Sequence, residues 1–133
     1  MISYDTNVLI YAFESDNQWS ASARKIVEAG EREGAVLSVL AWQEILTGAA
    51  LRSTEAEAKQ RAILDQFMTT RFVPVTEVIA NKAVALTRQF GRKAKGYDAI
   101  LLATAIEQGA DTFWTNDKTL LELKLPNLNI RSL

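Results

Sequence analysis

The chain contains no cysteine and no histidine. Together these absences exclude disulfides, thiolate zinc sites, Cys/His and Ser/His nucleophilic dyads and imidazole general bases, so carboxylates become the main candidates for chemistry. Proline is scarce. The 2 prolines, Pro74 and Pro126, lie beside short apolar segments where strands would start or end, and no linker, repeat or low-complexity tract interrupts the chain. No apolar run is long enough to cross a bilayer and no basic-apolar leader opens the sequence, which reads as cytoplasmic with no membrane segment. Charge of either sign is also not in excess: 15 basic and 16 acidic side chains give a formal net charge of −1. Electrostatics alone therefore do not announce a nucleic-acid binder.

What is present is ordinary for a globular protein: 133 residues, 48% apolar and 23% charged, read as one compact domain over residues 1–133. A chain of this size buries about two thirds of its unfolded surface, so it needs no metal or disulfide merely to fold. Any metal would be functional.

Short apolar runs rich in β-branched and aromatic residues occur at Ile2 to Tyr4, Ala35 to Ser38, Phe72 to Val75, Thr112 to Thr115 and Leu128 to Arg131, and read as strands. Helical periods lie between them. Trp19, Ala23, Ile26, Val27 and Gly30 share one face, as do Ile63, Leu64, Phe67 and Met68, and Ile79, Ala83, Leu86 and Phe90. Gly34 and Gly109 stand where helices should stop, and Thr54 with Glu57 three positions later fits a capping box. Strands alternating with helices imply an α/β fold of three layers, α/β/α, around a central, mostly parallel sheet. Such sheets bind ligands outside the carboxyl ends of their strands.

Two acids belong at that edge: Asp5, directly after the first strand, and Asp117, directly after the fourth. Asp98 heads YDAILLATAI, a helix apolar on nearly every side and so expected to be central, with Leu101, Leu102 and Ala105 on its face. Glu44 stands one turn beyond Leu40 in a segment nearly devoid of charge. Taken singly, Asp5, Asp98 and Asp117 are explained by helix capping and the helix dipole, and Glu44 by reaching solvent. Brought together, they are not. Like charges about 4 Å apart repel by roughly 4 kcal/mol at an effective dielectric of 20, and a divalent cation is the natural counter-charge. An all-oxygen donor set favours Mg²⁺ or Mn²⁺, ions that bind phosphates alongside carboxylates and promote attack on a phosphodiester without a protein nucleophile.

SYDTNVLIYAF at the start, Glu44 after the second strand, KGYDAILLATA and the late TND together resemble the PIN-domain family, in particular its VapC-type toxin ribonucleases, over essentially the whole chain. The resemblance implies a Mg²⁺- or Mn²⁺-dependent endoribonuclease with Asp5, Glu44, Asp98 and Asp117 as metal-binding catalytic acids. It also implies that Thr115 and Asn116 form the polar turn before the last acid, with Thr115 orienting carboxylates in the catalytic set, and that Thr6 and Asn7 serve similarly. Its implied partners are an RNA substrate, a second copy in a homodimer, and a small VapB-type antitoxin that blocks the acidic site, often with a basic side chain. The helices between Gln18 and Leu64 are the expected docking surface.

The net charge hides an asymmetry. Residues 1–23 hold three acids and no Lys or Arg, whereas Arg88, Arg92, Lys93 and Lys95 crowd one short stretch without an acid. That stretch runs into Asp98 through GRKAKGY, read as a loop that either is simply solvated or holds an RNA backbone beside the metal. Trp19, Trp42 and Trp114 read as packing residues rather than base-stacking ones. Two alternatives stand beside the toxin: a PIN-type nuclease for RNA maturation or quality control without an antitoxin, and a non-catalytic metal-binding or receiver-like switch. The second fits less well, because adjacent acids near the first strand and a late lysine are missing. Asn7 at the second position of DTN likewise argues against a phosphatase that works through an aspartyl phosphate.

Overall fold

The computed structural model describes residues 1–13 and 16–133, so Glu14, one of the three acids in the first 23 residues, lies outside the described part. Five strands alternate with seven helices among the described residues: β1 (Ile2–Tyr4), α1 (Thr6–Phe13), α2 (Ser20–Glu33), β2 (Ala35–Ser38), α3 (Val39–Arg52), α4 (Thr54–Asp65), β3 (Thr70–Val73), α5 (Glu77–Phe90), α6 (Gly96–Glu107), β4 (Thr112–Trp114), α7 (Lys118–Leu121) and β5 (Asn129–Arg131). The strands form one sheet in the order β3-β2-β1-β4-β5, and every pairing is parallel. From β1 the chain steps outward to β3, then returns past β1 to β4 and β5. The connections between parallel strands carry helices that flank the sheet. The reversal leaves β1 and β4 side by side with connections that depart in opposite directions, which opens a crevice at their carboxyl ends.

The expected helix faces are largely the observed ones. Ala23, Ile26, Val27 and Gly30 are buried on α2, and Ile79, Ala83 and Leu86 on α5. The central helix is α6, with Ala99, Leu101, Leu102, Ala103, Thr104 and Ala105 all buried. Gly34 and Gly109 do end helices at positive φ, 97° and 78°, a conformation that a side chain disfavours. No helix among the described residues is long and apolar enough to cross a membrane.

Three local expectations are corrected. Met68 is 91% exposed, because α4 ends at Asp65 and the chain has turned toward β3 before Met68 is reached. The cap of α4 is Ser53, whose hydroxyl accepts the Ala56 amide at 2.9 Å, so Thr54 is already helical and makes no capping box with Glu57. The third strand runs from Thr70 to Val73, two residues earlier than Phe72 to Val75. Its entry is organised by Glu31, whose carboxylate accepts the amides of Met68 (2.8 Å), Thr69 (3.1 Å) and Thr70 (2.7 Å). Its exit is set by Pro74, which has no N–H with which to continue the ladder.

Trp42 and Trp114 pack against the core as expected, whereas Trp19 is exposed. Arg61 lies over Trp42 and Arg131 over Trp114, at 5.4 and 5.2 Å from the ring centroids, while Trp19 rests against Tyr11 and remains partly exposed.

Helix α2 comes close to the sheet at Gly30. A Cβ there would lie 2.8 Å from the Ala35 Cβ on β2, and 3.6 Å from the Tyr4 ring. Helix propensity favours alanine by about 1 kcal/mol, but overpacking against a strand that cannot swing aside costs about 1 to 3 kcal/mol. Gly30→Ala should therefore lower stability by about 1 kcal/mol in denaturant titration, and a variant as stable as the parent would show that α2 can shift off the sheet freely.

Candidate metal-binding active site

The crevice between β1 and β4 is where the acids meet. Asp5 leaves β1 with its amide bonded to the Trp114 carbonyl of β4, and its side chain is buried at 7% exposure. One carboxylate oxygen accepts the Asn7 amide at 2.8 Å, and the other accepts the hydroxyl of Thr115. Thr115, fully buried just beyond β4, in turn accepts the Asp117 amide at 3.0 Å. Since that amide supplies its own hydrogen, the threonine proton is committed to Asp5. One hydroxyl thus ties the first acid to the backbone of the last.

Asp117 caps α7, with Oδ1 accepting the amides of Thr119 (2.8 Å) and Leu120 (3.2 Å). The capping explanation is therefore correct for this residue and compatible with a site role, because a cap at a strand's carboxyl end is also at the crevice. Glu44 comes from α3 and Asp98 from the first turn of α6, both half-buried. All four acids line one cavity of about 340 Å³, completed by Thr6 and Asn7 from α1 and by Tyr97 and Leu101 from α6. No basic side chain lines it among the described residues.

The electrostatic consequence is visible in the proton affinities. Burial raises Asp5 from 3.8 to about 6 against the hydrogen bonds from Thr115 and the backbone, with Asp98 adding repulsion. Burial likewise raises Glu44, opposed by the nearby Thr6 hydroxyl and reinforced by Asp98, and it raises Asp98, with Asp117 adding to the effect. The Thr6 oxygen is close enough to favour the charged Glu44 but lies outside hydrogen-bond geometry, and is buried without a partner. Asp98 is the hub of this mutual repulsion.

The donor chemistry suits a hard divalent cation: carboxylate oxygens, an orphaned hydroxyl, no nitrogen or sulfur ligand, and an excess of negative charge. The arrangement itself is more open than a closed metal cage. Among the described residues no group of three or more acids is placed so as to enclose a single ion. Such openness fits a metal of the kind that keeps several waters and is bound by one or two carboxylates together with a phosphate.

The other expected residues divide. Thr6 and Asn7 are in the cavity wall, and Thr115 lies directly behind it. Asn116 turns away: its side-chain oxygen accepts the Leu133 amide at 3.1 Å, so it anchors the last residues of the chain. None of Arg88, Arg92, Lys93 and Lys95 lines the acidic cavity. The loop expected at GRKAKGY is instead a 3-10 turn at Gly91–Lys93, held to α5 by the Thr87 hydroxyl on the Ala94 carbonyl, and Lys93 is paired with Glu122 at 2.9 Å. Tyr97 was not anticipated. It lines the acidic cavity and also a neighbouring apolar groove of about 890 Å³ with Leu40, Val84, Arg88 and Ile100, while its hydroxyl donates to Gln43 at 3.2 Å. Its position beside Asp98 in the sequence was the available signal.

A PIN domain family model matches residues 2–125. No curated protein sequence matches the chain. Among solved structures, a chain of a toxin-antitoxin complex from Klebsiella pneumoniae is 26% identical, with TM-score 0.74 over 96% of this chain and 95% of that one. A chain of VapBC2 from Rickettsia felis, bound to a promoter DNA fragment, is 21% identical, with TM-score 0.72 over 100% and 99%. A VapC toxin of Mycobacterium tuberculosis that cleaves the sarcin-ricin loop shares the fold at 16% identity, with TM-score 0.68 over 96% and 99%.

The raised acids make stability depend on pH in a definite direction. Asp5 holds its proton more tightly folded than unfolded, so its penalty is fully present above about 6 and is relieved as pH falls toward 3.8. Glu44 and Asp98 shift the same way, whereas Glu31 is lowered, because its backbone and Thr70 hydrogen bonds outweigh burial, and its contribution is lost only in more acidic solution. In EDTA, unfolding free energy should rise by on the order of 1 to 2 kcal/mol between pH 7 and pH 5. Asp98→Asn should lessen that rise only in part, because burial is the main cause at Asp5, and a parent protein that loses stability over the same interval would contradict the raised proton affinities.

Proposed function

The chain belongs to the PIN-domain family, and from that premise we propose that it is a Mg²⁺- or Mn²⁺-dependent endoribonuclease, the toxin of a type II toxin-antitoxin pair. The observation that carries the reading is the convergence of Asp5, Glu44, Asp98 and Asp117, from four separate segments, on one cavity without a cation of its own. PIN nucleases generally use divalent metals, and these four acids would hold the ion. When bound, it would supply Lewis acidity and neutralise charge developing on the phosphodiester.

The protein's own contributions follow from the geometry. Asp5 is the fixed point, held by Thr115 and Asn7 on separate oxygens, so its carboxylate cannot rotate away. Asp117 is held by its cap to α7 and by its amide to Thr115. Glu44 and Asp98 are half-buried with raised proton affinity, and in a chain without histidine they are the groups suited to orient a water and take its proton. Leu101 and the Tyr97 ring form the less polar wall. Arg92 and Lys95 are exposed beside the start of α6 and offer charge for an RNA backbone; Lys93 is already committed to Glu122.

Structural neighbours drawn from toxin-antitoxin complexes favour the toxin reading over a PIN nuclease without an antitoxin. The PIN family match and the absence of a lysine from the cavity among the described residues weigh against a receiver-like switch. The expected homodimer has a candidate surface in the apolar groove between α3, α5 and α6, where Val84 is 57% and Tyr97 48% exposed and which adjoins the acidic cavity through Tyr97.

Purified protein should cleave total RNA in Mn²⁺ or Mg²⁺ and stop in EDTA. Asp98→Asn should lose more than about a hundredfold in rate while remaining folded, and Thr115→Val about 10- to 100-fold, since it frees Asp5 without removing an acid. Undiminished metal-dependent cleavage by Asp98→Asn would sink the assignment. In sedimentation, Val84→Glu should convert a dimer to a monomer; a dimer insensitive to that change would place the interface elsewhere.

A further inference from the structure

The acidic cavity has no cation of its own among the described residues, so every charged side chain in it repels a polyanion. A strand of RNA lying across it must be held beside the scissile phosphate by neutral contacts. Of the eight residues that line the cavity, four are acids and two, Thr6 and Asn7, are short and polar; only Leu101 and Tyr97 offer apolar surface. Leu101 is 5% exposed and belongs to the core, whereas Tyr97 is 48% exposed. One open aromatic ring thus stands on the rim of the site.

That ring is held in place. The Tyr97 hydroxyl donates to the Gln43 Oε1 of α3 at 3.2 Å, and the Gln43 Nε2 donates in turn to Thr47, one helical turn on, at 2.9 Å. Tyr97 and Gln43 each immediately precede an acid, Asp98 and Glu44. Their bridge therefore joins α6 to α3 where those two carboxylates repel, and it fixes the ring beside them before any ligand arrives. A side chain ordered in advance binds without the entropic loss of being ordered.

We propose that Tyr97 is the stacking platform for an unpaired nucleobase next to the scissile phosphate. The inference rests on the nuclease reading for the identity of the ligand and deepens it by naming the form of the substrate, single-stranded RNA. Every base has a flat face that an aromatic ring can cover, but in a duplex those faces are already covered by the neighbouring pairs. Tyr97 also lines the apolar groove with Leu40, Val84 and Ile100. A second copy seated in that groove meets the ring from there and leaves the acidic cavity to the strand.

The test starts from a cut site mapped in total RNA and uses a synthetic single strand that spans it, intact or with the base removed from the nucleotide on either side of the cleaved bond. The parent should lose about tenfold in kcat/KM when one of these bases is missing, and annealing the strand to its complement should protect it. Tyr97→Leu should show the same tenfold loss on the intact strand and no further loss on the abasic one, because ring and base act as a pair. Tyr97→Phe, which keeps the ring and breaks only the tie to Gln43, should still respond to the missing base. Losses from Tyr97→Leu and from base removal that multiply would overturn the proposal and assign the ring to packing, between copies of the chain or between α3 and α6. A second readout needs no cleavage: hexauridylate with 2-aminopurine in place of one uracil, added with Ca²⁺, should be quenched by the parent and not by Tyr97→Leu. Equal quenching by both, or none by the parent, would also overturn the proposal. Quenching that requires Tyr97 in a protein that cleaves no RNA would remove the nuclease reading and leave this one standing.

Discussion

The site depends on one hydroxyl. Thr115 donates to Asp5 and accepts from the Asp117 amide, and because it has a single proton the direction of both bonds is fixed. Asp5 ends β1 and Asp117 follows β4, the two strands between which the chain reverses its direction through the sheet. The same threonine amide donates to the Arg131 carbonyl of β5, so the hydroxyl is carried on backbone that the sheet edge holds in place. A parallel sheet supplies this rigidity only if its strands are buried on both faces, which is what the helices provide. The fold thus holds two like-charged groups near one another where solvent would otherwise let them separate.

That arrangement is costly, and the cost is not relieved from within. Asp98 faces Asp5, Glu44 and Asp117 electrostatically from α6, a helix whose other buried positions are apolar or hydroxyl-bearing. Moving α6 outward would ease the repulsion but would expose Leu101, Leu102 and Ala105. Full burial of one leucine is worth about 2 kcal/mol, so the helix stays and its carboxylate bears the strain. Proton uptake relieves that strain when no cation is present; a divalent ion relieves it without removing the charges that chemistry on a phosphodiester requires. Selection for minimal self-repulsion alone would have placed a lysine in this cavity.

Much of this was legible in the sequence because it depends on chain order. Strand ends, helix faces and the absence of histidine are one-dimensional facts, and a parallel sheet converts position after a strand into position at one edge. Asp5 and Asp117 were readable for that reason, as was the central place of α6. What failed to read depends on contacts distant in sequence. The early start of β3 is set by Glu31, more than thirty residues upstream, which takes three successive amides of the incoming chain. Met68 continues the hydrophobic period of α4 by composition alone, since no local signal marks the turn that exposes it. Asn116 lies beside an acid in the sequence but is drawn off by Leu133. Tyr97 joins the acidic cavity to the apolar groove only because α3 and α6 come together, which no spacing along the chain reports.

Gln60, on the buried face of α4, belongs with the illegible features. In an amphipathic helix a glutamine on the buried face reads as a misplaced polar residue, and the sequence alone offers no reason to prefer it. In the structure it has the same character as Thr6: a buried polar atom without a partner, in a residue that lines a cavity. Natural folds satisfy nearly all buried polar groups, so unsatisfied atoms that coincide with cavities mark places where the free protein is incomplete.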